Sequence, residues 1–514
     1  MNKSLLPQLY IFLLSVLAFN CFSQSYPFNK HEIIFSSIKG AESKPDTITL
    51  DPNSASGSGS VKIEGKHAGY FKMATPETES ETNIVLIFSP PETFVGIARA
   101  RLVLKNHQEE IDLTGLSTNG LEGENEAPLA QIVEALGFST DVGWTSLPNH
   151  CRPDLQGEEL KPSLFTKANQ GEVEMIPVAR YSPDFPVNFG FYTIANTGPV
   201  QHQSGILAKA DDFPEHQTLF PSIAVGKTTF DPGDASFGFY TISPEHTIYS
   251  EDIWNILFYP SHVSHAMRVF PVNDKNGDPL KNTYLVCMEE ASNGDYNDYV
   301  FVVKNVKPVF IEHEFSSLMN GKDLDGWYTW LESKGKNHDP EQIFTVENDG
   351  VIHDLGKELG YIMTEKSFDN YHFTLEFKWG EKKWPPREND KRDSGICYNI
   401  PENEPDDIWP QSVECQIQEG DVGDFWLLGY STIQVDGKQN PPLRHSRITK
   451  KKDSEKPSGE WNTVEVISFN GKCVHIVNDV VVNYGENSSL IGGKILLQSE
   501  YAEIYYRNIR IREL

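Results

Sequence analysis

The run Val413-Glu-Cys-Gln-Ile-Gln-Glu419, continued by Gly420-Asp-Val-Gly-Asp-Phe-Trp426, concentrates side chains that could do chemistry. On an extended strand, successive side chains point to opposite faces. Glu414, Gln416 and Gln418 then share one face, while Val413, Cys415 and Ile417 share the other. The second face seeks a core; the first lines up a carboxylate and two amides as a site wall. A carboxylate so placed can move a proton, and neighbouring donors can hold a developing negative charge. Glu419, Asp421, Asp424 and Trp426 follow closely enough to border a substrate. Upstream, Arg392 offers a cation and Asp393 an acceptor, and Trp384 and Trp409 offer flat faces for stacking. His445, in the basic run Leu443-Arg-His-Ser-Arg447, is a candidate general base. The bland alternatives are a solvated strand face, core tryptophans and an exposed loop histidine.

A second group of oxygens lies further upstream. Asp274, Asn276 and Asp278 crowd around Gly277, and Asp295, Asn297 and Asp298 follow Gly294. Calcium takes six to eight oxygen ligands, so these Asx-rich turns are candidate calcium ligands. The alternative is a pair of ordinary turns, which favour the same residue types.

The elements that must hold these groups read as strands. Short alternating runs are separated by Gly, Pro, Asn and Asp, which predicts an all-β, multidomain protein. One helix is expected over 127–136, closed by Gly137. Residues 25–120 are expected to form an Ig-like β-sandwich, with strand-like runs at 61–63, 84–88, 98–104 and 110–113. Residues 121–308 form a second β-sandwich in this reading. It repeats the hexapeptide Phe-Gly-Phe-Tyr-Thr-Ile at 189–194 and 237–242, as two equivalent strands or two ligand loops. Residues 312–514 form the third domain.

Composition narrows the partners. With 73 acidic against 44 basic residues the formal charge is −29, which argues against nucleic acid or anionic lipid. Lys3 followed by the apolar stretch 9–19, too short to span a bilayer, predicts a signal peptide over 1–24. Cleavage would fall near Ser23 or Gln24, or Cys21 would carry a lipid anchor. No later stretch reads as a membrane span. The expectation is a bacterial protein that is secreted, periplasmic or at the cell surface. Cys151, Cys287, Cys397, Cys415 and Cys473 have no CxxC spacing and are expected to be small buried hydrophobes rather than disulfides.

An ordered series of motifs spans 315–514. It runs from Phe315 to Trp327, through 350–353, 360–364, 368–377, Asp393-Ser-Gly-Ile396, Gly459-Glu-Trp-Asn462 and 493–498, to Tyr506-Arg-Asn-Ile509. In order and spacing this resembles the 3-keto-disaccharide hydrolase family. The resemblance implies a concanavalin-like jelly roll of two antiparallel sheets and a carbohydrate partner. Glu414 and Gln416 match that family's Glu-x-Gln pattern. Asp393 stands where the family has Asn, which keeps an acceptor and removes an amide donor. The implied reaction is cleavage of a 3-keto-glycoside by C2 proton abstraction and loss of the aglycone. Glu414 or His445 would be the base. Arg392, Gln416 or a bound divalent metal would stand at the enolate oxygen.

Two other readings use the same residues. Glu414 and Glu419 have the spacing of the outer carboxylates in laminarinase-type hydrolases, but Gln416 replaces the middle aspartate. A non-catalytic carbohydrate-binding or adhesion module would need an aromatic platform but no buried carboxylate with a shifted pKa. Ser-His-Asp chemistry has no support, since Gly-x-Ser-x-Gly is absent from the sequence.

Overall fold

The computed structural model describes residues 30–49, 61–74, 83–104, 110–121, 123–144, 151–209, 217–310, 315–347 and 350–514. The signal-peptide stretch and Cys21 lie outside them. Strands dominate, and the two α-helices among the described residues have seven residues each. The architecture is all-β and multidomain.

The first unit packs a four-stranded sheet on a three-stranded one. Its edge strand Glu32–Ile38 runs parallel to Glu110–Thr118. Between the sheets lie Phe35, Ile48, Leu86, Phe88, Leu102 and Leu113. In Gly96–Leu104 the alternation legible in the sequence has its structural reason, since Ala98, Ala100 and Leu102 turn inward.

The middle unit packs a five-stranded sheet on a six-stranded one. The repeated hexapeptide forms two neighbouring antiparallel strands, Val187–Ala195 and Gly238–Ile242. Phe191 stands opposite Phe239, its own counterpart in the repeat, so the two copies meet about a local two-fold. Gly238 must be a glycine, because a Cβ there would come 2.3 Å from the Tyr192 ring. The expected helix covers Leu129–Ala135, and Gly137 follows at φ 79°. A second helix, Asp252–Phe258, carries no readable polar face; Trp254, Ile256 and Leu257 are all buried.

The C-terminal unit is a jelly roll of an eight-stranded and a nine-stranded sheet. Phe373, Leu375 and Phe377 of the strand Tyr371–Lys383 enter the core between them, as do Val413, Cys415 and Ile417. The outer face of the eight-stranded sheet is covered by the middle unit. Ile467, Phe469, Val474 and Ile476 pack there with Tyr249, Trp254, Ile256 and Leu257. Charged groups seal this contact, with Glu465 receiving Arg152 Nη2 at 2.6 Å and His372 Nε2 at 2.5 Å. A cavity of about 560 Å³ remains between the units, bordered by Arg152, Glu251, Trp254, His372 and Arg512. The docked face is therefore the one opposite the strand that carries Glu414.

All five described cysteines are buried and unpaired. No helix among the described residues is long and apolar enough to cross a membrane.

Candidate active site on the nine-stranded sheet

Six strand pairings place one row of side chains across seven strands of the nine-stranded sheet. Tyr328 faces Met363, Met363 faces Leu496, and Leu496 faces Cys397. Cys397 faces Glu414, Glu414 faces Trp426, and Trp426 faces Arg447. Residues directly opposite share a face. The alternating neighbours Ile362, Leu497, Ile396, Val413 and Phe425 are in the inter-sheet core, so this row looks outward. An apolar and aromatic bed surrounds it, formed by Tyr328, Tyr361, Met363, Cys397, Leu428 and Leu496, with Trp330, Trp409 and Trp426 packed on them. Aromatic faces beside polar groups suit sugar rings, which are apolar above and below and polar at the rim.

Glu414 sits in the middle of this bed and is only 4% exposed. Gly395 makes room for it, since a Cβ there would lie 2.3 Å from the Oε1 atoms of both Glu414 and Gln498. Burial, then the nearby carboxylates of Glu500 and Asp393, push the Glu414 carboxyl well above its usual range. Gln498 and Cys397 oppose this through hydrogen bonds, without reversing it. Gln498 donates from Nε2 to Cys397 Sγ at 3.3 Å. Its Oε1 is buried and lacks a hydrogen-bond partner among the described residues. Gln416 is buried too, and its Oε1 accepts from the Ile417 N–H at 3.1 Å.

Beside Glu414 lies a second carboxylate pair held by one arginine. Arg387 donates to Asp393 Oδ2 at 2.5 Å and to Glu500 Oε2 at 2.6 Å. Gln418 donates to the same Asp393 oxygen at 2.7 Å. The other oxygen, Oδ1, is buried without a partner among the described residues. Burial and the charge of Asp393 raise Glu500 to about 8 despite Arg387. Asp393 is likewise raised, by burial first, with Arg387 and Gln418 pulling against it. Three carboxyls in one desolvated region cannot all ionise, so they titrate as a set.

The remaining sequence candidates take other positions. Arg392 turns to Glu419, donating from Nη1 to Oε1 at 2.7 Å and from its backbone N–H to Oε2 at 3.0 Å. The arginine that reaches the buried carboxylates is Arg387, five positions earlier. Burial would raise Glu419, but Arg392 outweighs it and holds the carboxyl below its usual value. Asp424 is buried and takes Arg447 Nη2 at 2.6 Å, and Asp421 takes Lys391 at 2.8 Å and Arg447 at 3.1 Å. These two aspartates brace the edge strand His445–Ile448 instead of forming a free loop over the site. His445 is exposed on that edge, opposite Leu428. Trp384 donates its indole N–H to the Leu355 carbonyl at 2.8 Å. Trp409 and Trp426 belong to the aromatic bed, and the Trp426 Nε1 is buried with no partner among the described residues.

Sequence reasoning missed Gly395, Gln498, Glu500, Arg387 and a polar cluster at one end of the bed. There Asp406 Oδ1 accepts from Tyr328 at 2.8 Å and Tyr361 at 3.0 Å, and Lys336 lies 3.4 Å from the Tyr328 ring centroid. Gln498 and Glu500 were findable, since they alternate with Leu497 and Ser499 and continue the face of Leu496. Arg387 and Asp406 stand in loops with no periodicity to read.

The Asx-rich turns separate. Asp274, Asn276 and Asp278 form the exposed turn between Met267–Asn273 and Pro279–Met288, where Asp274 Oδ1 accepts the N–H groups of Asn276 at 2.8 Å and Asp278 at 3.0 Å. Asp295, Asn297 and Asp298 lie beyond the other end of the ten-residue strand Pro279–Met288, roughly 30 Å of extended chain away. There Asp295 and Asp298 meet Glu289, with one oxygen of each within 4.8 Å of the others.

An outward, carboxylate-bearing and aromatic face on a two-sheet jelly roll defines a carbohydrate-active domain. Residues 314–512 match the model of the 3-keto-alpha-glucoside-1,2-lyase-like domain family. Among solved structures, the chain is similar to a putative glycosyl hydrolase from Parabacteroides distasonis (20% identity, 40% of this chain and 98% of that one, TM-score 0.29). It is also similar to the carbohydrate-binding module CBM66 from Bacillus subtilis (10% identity, 39% and 99%, TM-score 0.27) and to LamAcat from Zobellia galactanivorans (11% identity, 39% and 96%, TM-score 0.26). Comparison with curated proteins gives no match.

Proposed function

We propose that the C-terminal domain cleaves 3-keto-glycosides by elimination followed by hydration. The carrying observation is Glu414, a buried carboxyl with a raised pKa at the centre of an aromatic face. The carbonyl at C3 acidifies the proton on C2. A carboxylate removes that proton, the electrons move onto the C3 oxygen, and the enolate then expels the aglycone oxygen from C1. Water adds across the resulting double bond, returning a proton to C2 and placing a hydroxyl on C1, which gives net hydrolysis.

Glu414 is the base in this reading; its own carboxyl is raised, so only the ionised fraction acts, and burial makes that form a stronger base than a surface carboxylate. Glu500, with its carboxyl near 8, carries a proton at neutral pH and can pass it to the leaving oxygen. The partnerless oxygens of Asp393 and Gln498 would accept from sugar hydroxyls, and Trp426 and Trp409 would stack on the rings. A divalent metal at the enolate oxygen would do the work of a donor there; Glu414, Asp393 and Glu500 supply oxygens of the type such an ion takes. The leader-like N-terminus supports an exported protein, with the substrate met outside the cytoplasm.

The rival readings fit less well. A conventional two-carboxylate hydrolase would need Glu419 free, whereas Arg392 holds it. A binding module has no use for a desolvated Glu414. The test is release of aglycone from a chromogenic 3-keto-glucoside and from the parent glucoside, by wild type and Glu414→Gln. Cleavage of the keto substrate alone, lost in the variant, is the expected result. Cleavage of the parent glucoside would point to the conventional hydrolase, and binding without turnover of either would sink the enzyme reading.

A further inference from the structure

The middle unit, in a part of the fold separate from Glu414, gathers three carboxyls in one turn. Glu289 follows directly on the strand Pro279–Met288, and Asp298 directly precedes the strand Tyr299–Lys304, with Asp295 in the connection. One carboxylate oxygen from each lies within 4.8 Å of the other two. Glu289 is 0% exposed, and its Oε1 is a buried acceptor without a hydrogen-bond partner among the described residues. Its Oε2 accepts the Tyr296 N–H at 3.2 Å. Asp298 Oδ2 accepts the Glu290 N–H at 2.6 Å. Asn297, in the same turn, gives its Nδ2 to the Ala127 carbonyl at 3.0 Å and leaves its buried Oδ1 without a partner among the described residues. Buried polar atoms are nearly always satisfied, so two orphaned oxygens beside a knot of carboxylates ask for a missing donor or cation.

Protonation is one answer and a cation is the other. Burial, then the neighbouring carboxylate, raises Glu289 to about 7 and pushes Asp298 up as well. Arg268, which stacks 4.5 Å from the Tyr296 ring centroid, is engaged by Glu159. The oxygens are all hard, and they come from a loop with no histidine or cysteine. An all-oxygen set of carboxylates with an amide oxygen suits calcium better than zinc, which favours nitrogen and sulfur.

We infer that Glu289, Asp295 and Asp298, with the amide oxygen of Asn297, bind one calcium ion in the middle unit. The ion clamps the connection 289–298 between two adjacent strands of the six-stranded sheet. Through Asn297 and Ala127, it also ties this turn to the segment that leads into the helix Leu129–Ala135. This site is independent of the chemistry proposed for the C-terminal domain.

The experiment uses the full chain stripped with EDTA and returned to neutral buffer. Calcium chloride is titrated by calorimetry, and thermal unfolding is followed with and without 1 mM calcium, on the order used for extracellular sites. The expected results are one site per chain and a calcium-dependent rise in the unfolding midpoint, both lost in Asp298→Asn and Glu289→Gln. These neutral isosteres remove like-charge repulsion, so without metal they should unfold no earlier than stripped wild type. Binding unchanged in both variants would overturn the inference, and so would no heat and no shift in wild type. In that last case the group is a proton-sharing cluster.

Discussion

Gly395 and Glu414 occupy one space between them: a side chain on the first would stand 2.3 Å from Oε1 of the second. The two lie on adjacent strands, Gly395 opposite Gln416 and Cys397 opposite Glu414, so the glycine sits diagonally beside the carboxyl. Its backbone has no positive φ to explain the residue. The need is for volume, and it is set by the buried carboxyl and by Gln498, which the same Cβ would strike. Gly395→Ala should therefore move Glu414 while leaving its chemistry in place. We expect turnover of a 3-keto-glucoside to fall about 100-fold or more, since small misplacements of reacting groups are that costly. Stability should fall by about 1–3 kcal/mol, as in other overpacked sites. Unchanged turnover in a folded variant would remove Glu414 from the reaction.

Glu414→Gln separates positioning from proton transfer. The amide keeps the shape, and burial that penalised the charged carboxylate no longer applies. Loss of general base catalysis typically costs 10²–10⁴-fold. The expected outcome is a fall of about that size in kcat, with binding of a 3-keto sugar retained in calorimetry and an unfolding midpoint equal to wild type or higher.

Arg387 is the only cation that contacts both Asp393 and Glu500 among the described residues. It pulls both carboxyls down against burial. Arg387→Met removes that pull, so both groups should hold their protons to higher pH. If Glu500 supplies the proton to the leaving oxygen, the alkaline limb of the kcat profile should move upward by about one pH unit. A profile that loses height without moving would give Arg387 a structural part only.

Much of the fold was open to reading because it follows from alternation. Phe373, Leu375 and Phe377 against Thr374 and Glu376, or Val413, Cys415 and Ile417 against Glu414 and Gln416, declare their faces by period two alone. The helix at 129–135 was readable through Gly137, whereas Asp252–Phe258 was not, because a short helix buried on several sides has no polar stripe. The site divides in the same way. Glu414, Gln416, Trp426 and Asp393 could be picked out by residue type and strand position. Arg387 could not, since what distinguishes it from Arg392 is which way a loop turns after Trp384. Glu419 and Asp424 looked like free carboxylates because their partners, Arg392 and Arg447, are matched only by folding. Glu289 escaped for a related reason: it ends a strand several residues before the Asx-rich turn it joins.

The contact between the middle unit and the jelly roll should depend on pH through Glu465. This carboxylate is fully buried on the outer face of the eight-stranded sheet. Arg512 Nη2 donates to His372 Nδ1 at 3.3 Å, so that nitrogen is an acceptor, and Nε2 carries the proton given to Glu465 at 2.5 Å. Burial disfavours the charged carboxylate, but His372, through its hydrogen bond and its charge once protonated, and then Arg152 outweigh it and bring its pKa down to about 2. Unfolded, the group returns to about 4.5. A depressed carboxyl stabilises the folded state above its unfolded pKa, and that stability is lost as pH falls toward the folded value. The difference corresponds to about 3 kcal/mol at neutral pH. Glu465→Gln should accordingly lower the unfolding midpoint at pH 7, and its gap from wild type should narrow as pH drops from about 5 to about 3. Arg152→Met should reproduce part of the loss, since the Arg152 side chain is about half exposed. A gap that stays constant across that window would mean that shape, not charge, holds the two units together at this point.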